Sequence, residues 1–177
     1  MATLILRPNG VGDYANIEDE VPDAAAHWTV VDEVVADDAD YVAQNVAGTA
    51  YDVYALENTA QAGIINSVTV YFRCRRGIGA GTRTATPRLR LGASETTGTE
   101  ITLGTSWTLY NEILARPGGG TWSWTDVNAL QAGVGLYTPT SGVSFEAFCS
   151  QLYIVVTYMP PKAFASNVGK LVAIGAI

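Results

Sequence analysis

His27 is the only imidazole this chain has for acid–base work, and Cys74 and Cys149 are its only thiols. A Ser, Thr or Cys nucleophile needs a base within hydrogen-bond reach, and no nucleophile motif accompanies His27. The residue reads as a general base in a cleft or, more simply, as a loop or strand-edge residue beside Trp28. One histidine and two distant cysteines lack the spacing of a zinc site. Each cysteine sits in an apolar run and reads as a small buried hydrophobe, with a Cys74–Cys149 disulfide as the other option.

Three further clusters have the residue types for binding chemistry. Asp37-Asp38-Ala39-Asp40 offers carboxylates of the kind calcium takes, but lacks the glycine and distal glutamate of an EF-hand loop, so a solvated acidic turn is the plainer reading. Gly77-Ile78-Gly79-Ala80-Gly81 lacks the Gly-Lys-Ser/Thr ending of a phosphate loop and reads as a strand connector. Trp107, Trp122 and Trp124 can form a stacking platform for sugars or bases, or a lid of the core over a short helix. Asp and Glu on different strands can pair for glycoside hydrolysis, but no motif selects a pair. No catalytic residue, cofactor or metal ligand is assigned, and the chain reads as a non-enzyme.

The elements that position these residues are strands. The chain has 177 residues, 18 of them glycine, with 48% hydrophobic and 15% charged residues, enough for one core. The clearest alternation is Ser67–Arg75, where Val68, Val70, Phe72 and Cys74 face one way and Thr69, Tyr71, Arg73 and Arg75 the other. Arg88-Leu89-Arg90-Leu91 repeats it, so the two strands, if neighbours, make an arginine-rich surface. Further strands are predicted at 2–8, stopped by a Pro8-Asn9-Gly10 turn, then from Trp28 to Val35, at 51–56, 99–103, 107–114 and 144–158. The last is apolar on both faces, as suits a central strand. Thr125–Gly133 carries a Thr cap, an acid in the first turn and a closing glycine, and predicts a two-turn helix. The prediction is an all-β antiparallel sandwich, jelly-roll-like, with one short helix.

Charge is divided along the chain. Residues 1–60 carry twelve Asp/Glu against Arg7 alone, and residues 61–177 carry five acids against nine bases. This arrangement suits head-to-tail packing of copies, or two solvated surfaces. A net charge of −7 argues against a nucleic-acid partner. No stretch has the length of a membrane span, and the start has no signal-peptide pattern, so synthesis in a cytoplasm is expected. Residues 1–159 form the predicted domain, and residues 160–177 an apolar C-terminal extension. Its Phe164, Val168, Leu171, Val172, Ile174 and Ile177 are the candidate contacts to this domain or to a neighbouring copy.

Arg7-Pro8-Asn9-Gly10, Trp28, Asp32-Glu33 with Asp37-Asp38, Tyr51-Asp52-Val53-Tyr54, and above all Trp122-Ser123-Trp124 through Leu130-Gln131-Ala132-Gly133-Val134 to Gln151–Tyr158 resemble a family of tailed-phage structural proteins. The resemblance covers about residues 3–158 and leaves the C-terminal extension outside. It implies a virion component made in the host cytoplasm, a head decoration, minor capsid or tail-associated subunit without catalytic residues. Its implied partners are copies of itself and other virion proteins. Carbohydrate binding by an adhesion module of a tail or fibre is the alternative, with a glycan as partner.

Overall fold

Alternating β-branched, aromatic and polar residues form twelve strands among the residues described by the computed structural model, which are 1–22, 26–142, 144 and 146–162. In chain order they are β1 (Ala2–Leu6), β2 (Pro8–Ala15), β3 (Asp19–Val21), β4 (Tyr41–Gln44), β5 (Gly48–Leu56), β6 (Ile64–Arg76), β7 (Thr84–Leu91), β8 (Ser94–Thr97), β9 (Ile101–Thr102), β10 (Thr108–Leu114), β11 (Gln131–Thr138) and β12 (Ala147–Met159). One antiparallel sheet has the order β10-β6-β12-β4-β3, with β1 also paired to β12. The other has the order β2-β5-β11-β7-β8, with β9 paired to β7. The fold is an all-β, jelly-roll-like sandwich with one short helix, α1 (Trp124–Asn128).

The inner faces follow the sequence alternation. Val68, Val70, Phe72 and Cys74 of β6 are fully buried, as are Leu152, Ile154 and Val156 of β12 and Ala132, Val134 and Leu136 of β11. Burying one such aliphatic side chain is worth about 1.5–3 kcal/mol, so these rows hold the two sheets together. Cys74 and Cys149 lie opposite each other across β6 and β12, as buried free thiols rather than a disulfide. Burial pushes the Cys74 thiol well above its ordinary pKa.

Four local expectations are corrected. Pro8-Asn9-Gly10 is the start of β2 rather than a turn, because the chain crosses at Arg7 from the β6/β12 sheet to the β5/β11 sheet. An edge strand such as β2 tolerates the missing proline N–H. The segment Trp28–Val35 is not a strand: His27–Val30 form a single 3-10 turn. Val30 and Val31 are both buried while Val34 and Val35 are both exposed, a pattern that side chains alternating across a strand do not give. The Val31 carbonyl instead accepts from Leu152 N–H at 2.7 Å. The helix is shorter than expected, five residues, and is capped by Ser123 in a reciprocal capping box with Asp126. It stops at Ala129 because Leu130, Ala132 and Val134 face the core with strand periodicity. Finally, β6 and β7 lie in different sheets, so their arginines point out of opposite faces and form no common surface.

The Gly77–Gly81 connector between those two strands is held from within. The Arg83 side chain is buried, and its Nη1 donates to the carbonyls of Gly79, Ala80 and Gly81 at 2.6, 2.9 and 2.6 Å.

Candidate functional site

The outer face of the β5/β11 sheet is covered by rings and guanidinium groups. β2 leaves register between Val11 and Ala15 where it pairs with β5, and Gly12 passes so close to the Val53 carbonyl that any side chain there would clash. This excursion sets Asp13 and Tyr14 over the sheet. Tyr14 meets Tyr51 edge-to-face at 5.1 Å and 81°. Arg90 stacks on Tyr14 with its Cζ 4.7 Å from the ring centre, and Arg88 on Tyr51 at 4.2 Å.

Arg88 reaches Tyr51 by crossing β11. The two residues stand on β7 and β5, which flank β11 on either side, so about 10 Å of sheet separates their strands. On this face β11 presents Gly133 and Gly135, opposite Arg88 and Thr86 of β7. A Cβ on Gly135 would stand 3.4 Å from Arg88 Nε. Gly135 thus leaves room beside the guanidinium, which lies over the Tyr51 ring.

Carboxylates and one amide lock the platform. Arg90 Nε donates to Asp13 at 2.6 Å and its Nη1 to Glu95 Oε1 at 2.8 Å. Gln131 donates to Asp13 at 3.1 Å and accepts the Asp13 backbone N–H at 2.9 Å. The hydrogen bond from Arg90 holds the Asp13 carboxyl below its ordinary pKa. Arg88 Nη1 reaches the other Glu95 oxygen at only 3.3 Å. Arg88 Nε is buried and has no hydrogen-bond partner among the described residues.

At the neighbouring edge, His27 bridges two carboxylates. Its Nδ1–H donates to Asp52 Oδ2 at 2.6 Å, and Nε2 stands 3.2 Å from Glu20. Asp52 is fully buried, and also accepts from the backbone of Asn16 and Ile17 and from the Tyr54 hydroxyl. The Asp52 hydrogen bond raises the His27 pKa, burial opposes it, and the charges of Asp52 and Glu20 add to the rise. The pair resembles the base and orienting acid of a hydrolase. The second ring nitrogen, however, faces a carboxylate, where such an enzyme has a hydroxyl or thiol. His27 is therefore a clasp joining the 3-10 turn to β5. Beside it lies an apolar cavity of about 170 Å3 lined by Val11, Ala15, Ala26, His27, Trp28, Val53 and Tyr54.

The other predicted binding groups fall elsewhere. Asp38 is taken by Arg73, whose Nε and Nη2 both donate at 2.7 Å, and by Ser150. The Arg73 bonds hold the Asp38 carboxyl below its ordinary pKa. Among the described residues, no group of three or more His, Cys, Asp and Glu is placed to hold a metal ion. The three tryptophans share no platform: Trp122 and Trp124 pack against the core, and Trp124 Nε1 donates to Gly63. Trp107 lies on the opposite outer face, with Arg75 stacked on it and on Phe148. The divided charge is partly spent within one molecule, since Arg73–Asp38 and Arg90–Asp13 each join the basic part to the acidic part. Phe164, Val168, Leu171, Val172, Ile174 and Ile177 lie outside the described residues. No helix among the described residues is long and apolar enough to cross a membrane.

Sequence reading missed the platform because its members and the groups that lock them come from five strands, β2, β5, β7, β8 and β11. The signal present in the sequence was the Gly133/Gly135 alternation inside an otherwise apolar stretch, which marks a close approach by another group.

No protein-family model matches the chain, and no curated protein does. Solved structures do resemble it. A family 11 carbohydrate-binding module from Clostridium thermocellum, in complex with a β-1,3-1,4-mixed-linked tetrasaccharide, is 12% identical over 68% of this chain and 78% of that one, with a TM-score of 0.40. The family 11 module of the cellulosomal cellulase Lic26A-Cel5E of Clostridium thermocellum is 9% identical over 91% and 90%, with a TM-score of 0.39. At these identities and TM-scores, neither likeness says what this chain binds.

Proposed function

We propose that this chain is a non-catalytic module that binds carbohydrate on the outer face of the β5/β11 sheet. The observation that carries the reading is the tiling of Tyr14, Tyr51, Arg88 and Arg90 into one polar–aromatic platform across the sheet. A sugar ring has an apolar C–H face and a rim of hydroxyls. Tyrosine rings supply an apolar surface with a polar tip. Arg90, Gln131, Asp13 and Glu95 supply donors and acceptors, already fixed by one another, which lowers the entropy cost of ordering them on binding. A glycan array screened with the full chain, followed by NMR titration of each hit, tests this. Shifts confined to Tyr14, Tyr51 and the β7 arginines are expected, and an array silent with and without calcium would sink the reading.

A second reading, a self-associating virion subunit of head or tail, is supported by the family resemblance and by a specific surface. Ile5, Val155, Thr69 and Ile113 stand side by side across β1, β12, β6 and β10. Ile5 and Ile113 are 48% and 67% exposed there, and Leu109 of β10 is 42% exposed. Apolar side chains aligned on an outer sheet face suit contact with another protein. Sedimentation at rising concentration should show association that Ile113→Asp weakens. A monomer at every concentration counts against it.

A further inference from the structure

We propose that Arg88 reads a carboxylate, so that the glycan taken by this face is an acidic one, carrying a uronic or sialic acid. The inference rests on the carbohydrate reading above and adds the ligand's chemical class.

Arg88 differs from the other arginines that are ion-paired to carboxylates. Arg73 gives Asp38 two bonds of 2.7 Å. Arg116 gives Asp126 two, at 3.0 and 2.8 Å. Arg90 is held between Asp13 and Glu95 at 2.6 and 2.8 Å. The guanidinium is a planar fork that matches a carboxylate through two parallel bonds; Arg73 and Arg116 make such pairs, and Arg90 makes one short bond to each of two carboxylates. Arg88 makes one hydrogen bond, at 3.3 Å, to a glutamate whose other oxygen already belongs to Arg90. Its Nε, buried beside Gly135, has no hydrogen-bond partner among the described residues, so the part of the fork left for a ligand is its Nη edge.

The surroundings hold this under-used fork in place. Tyr51 lies beneath the guanidinium at 4.2 Å, and the Gly135 backbone lies beside it. Arg88 is therefore oriented before any ligand arrives. The nearest formal charges on the face are Arg88, Arg90, Asp13 and Glu95, two of each sign, so an arriving anion meets no local excess of negative charge. The chain as a whole is at −7, which makes attraction at a distance unhelpful and leaves recognition to this contact. A ligand carboxylate takes the Nη edge of Arg88, while Glu95 keeps its shorter bond to Arg90.

The test is an array carrying neutral oligosaccharides, uronates, sialosides and sulfated glycans, probed with the full chain. The best acidic hit is then compared with its own methyl ester by calorimetry. Hits confined to carboxylate-bearing glycans are expected, with the ester bound at least about tenfold more weakly, the scale of a lost charge-assisted hydrogen bond. Arg88→Gln should erase the difference between acid and ester. Arg88→Lys, which keeps the charge but not the fork, should recover only part of it. Arg75→Gln, on the opposite face, should change nothing. Hits that are neutral or sulfated only, or equal binding of acid and ester, overturn the inference and leave the carbohydrate reading standing. An acid preference that survives Arg88→Gln overturns the assignment to Arg88. A silent array overturns both.

Discussion

His27 donates to Asp52 at 2.6 Å across 25 residues of sequence, and the acceptor is a carboxylate with no solvent exposure. A buried carboxylate is tolerable only when its oxygens are occupied. Here the backbone of Asn16 and Ile17, the Tyr54 hydroxyl and the His27 ring do so. His27 also comes within 3.2 Å of Glu20, so one imidazole ties β3, the 3-10 turn and β5 together.

Asp52→Ala should therefore cost about 3–5 kcal/mol, since it strands several buried donors at once. His27→Ala should cost less, about 1–3 kcal/mol, because three donors to Asp52 remain. Urea unfolding midpoints of the two variants and of the double variant check this. Equal losses for Asp52→Ala and His27→Ala would contradict the hub role given to Asp52.

Stability should peak in mildly acid solution and fall on both sides. The folded-state pKa of His27 is raised, so its contribution is complete below the ordinary histidine value of about 6.5 and is lost as pH rises through the folded value. Glu33 acts in the same sense. Burial first, then the charges of Asp32, Asp40 and Asp37, push its pKa from 4.5 up to about 7. Its penalty therefore grows as pH rises from the lower value through the higher one. Asp38 and Asp126 have lowered values, through their bonds to Arg73 and Arg116. Their contribution is present above 3.8 and lost as pH falls through the folded values. Urea titrations along a pH series should show His27→Gln flattening the limb above about pH 6.5, and Glu33→Gln flattening the stretch from 4.5 to about 7.

Two glycines on one strand should respond differently to the same change. A Cβ on Gly133 collides with the backbone carbonyl of Asp52 in the neighbouring strand, whereas one on Gly135 comes no nearer than 3.4 Å to any neighbour, the Arg88 Nε. Gly133→Ala is expected to cost more than about 2 kcal/mol, and Gly135→Ala well under 1. The second change should also weaken glycan binding by displacing the guanidinium. Thermal melting and a binding titration separate the two effects.

Arg83→Met should loosen the β6–β7 connector without touching the ligand face. It removes donors to three carbonyls in a row, and a cost of about 2–4 kcal/mol is expected. Hydrogen exchange should rise across residues 77–81 and stay unchanged at Tyr51. Unaltered exchange in the connector would refute the cradle.

Much of the sandwich is legible along the chain because strand burial is a period-2 property. The alternation of Val68, Val70, Phe72 and Cys74 names an inner face, and the two-sided apolar run predicted at 144–158 names a central strand, which the pairing of β12 from Ala147 onward bears out. The same local reading fails where burial is not periodic. Val30 and Val31 are both buried because the chain leaves the sheet and fills the gap beside β12. Pro8 begins a strand because the chain changes sheets at Arg7.

The sequence by itself determined the class of fold, the inward rows and the absence of a recognisable nucleophile or zinc motif, since each depends on residues near one another in the chain. The partner of the lone histidine, the separation of the β6 and β7 arginines onto opposite faces, and the platform of Tyr14, Tyr51, Arg88 and Arg90 were decided only in three dimensions. The physical reason is sheet order. β2, β5, β11 and β7 are distant in sequence and adjacent in space, and hydrogen-bond register alone sets Arg88 beside a glycine and within reach of a tyrosine.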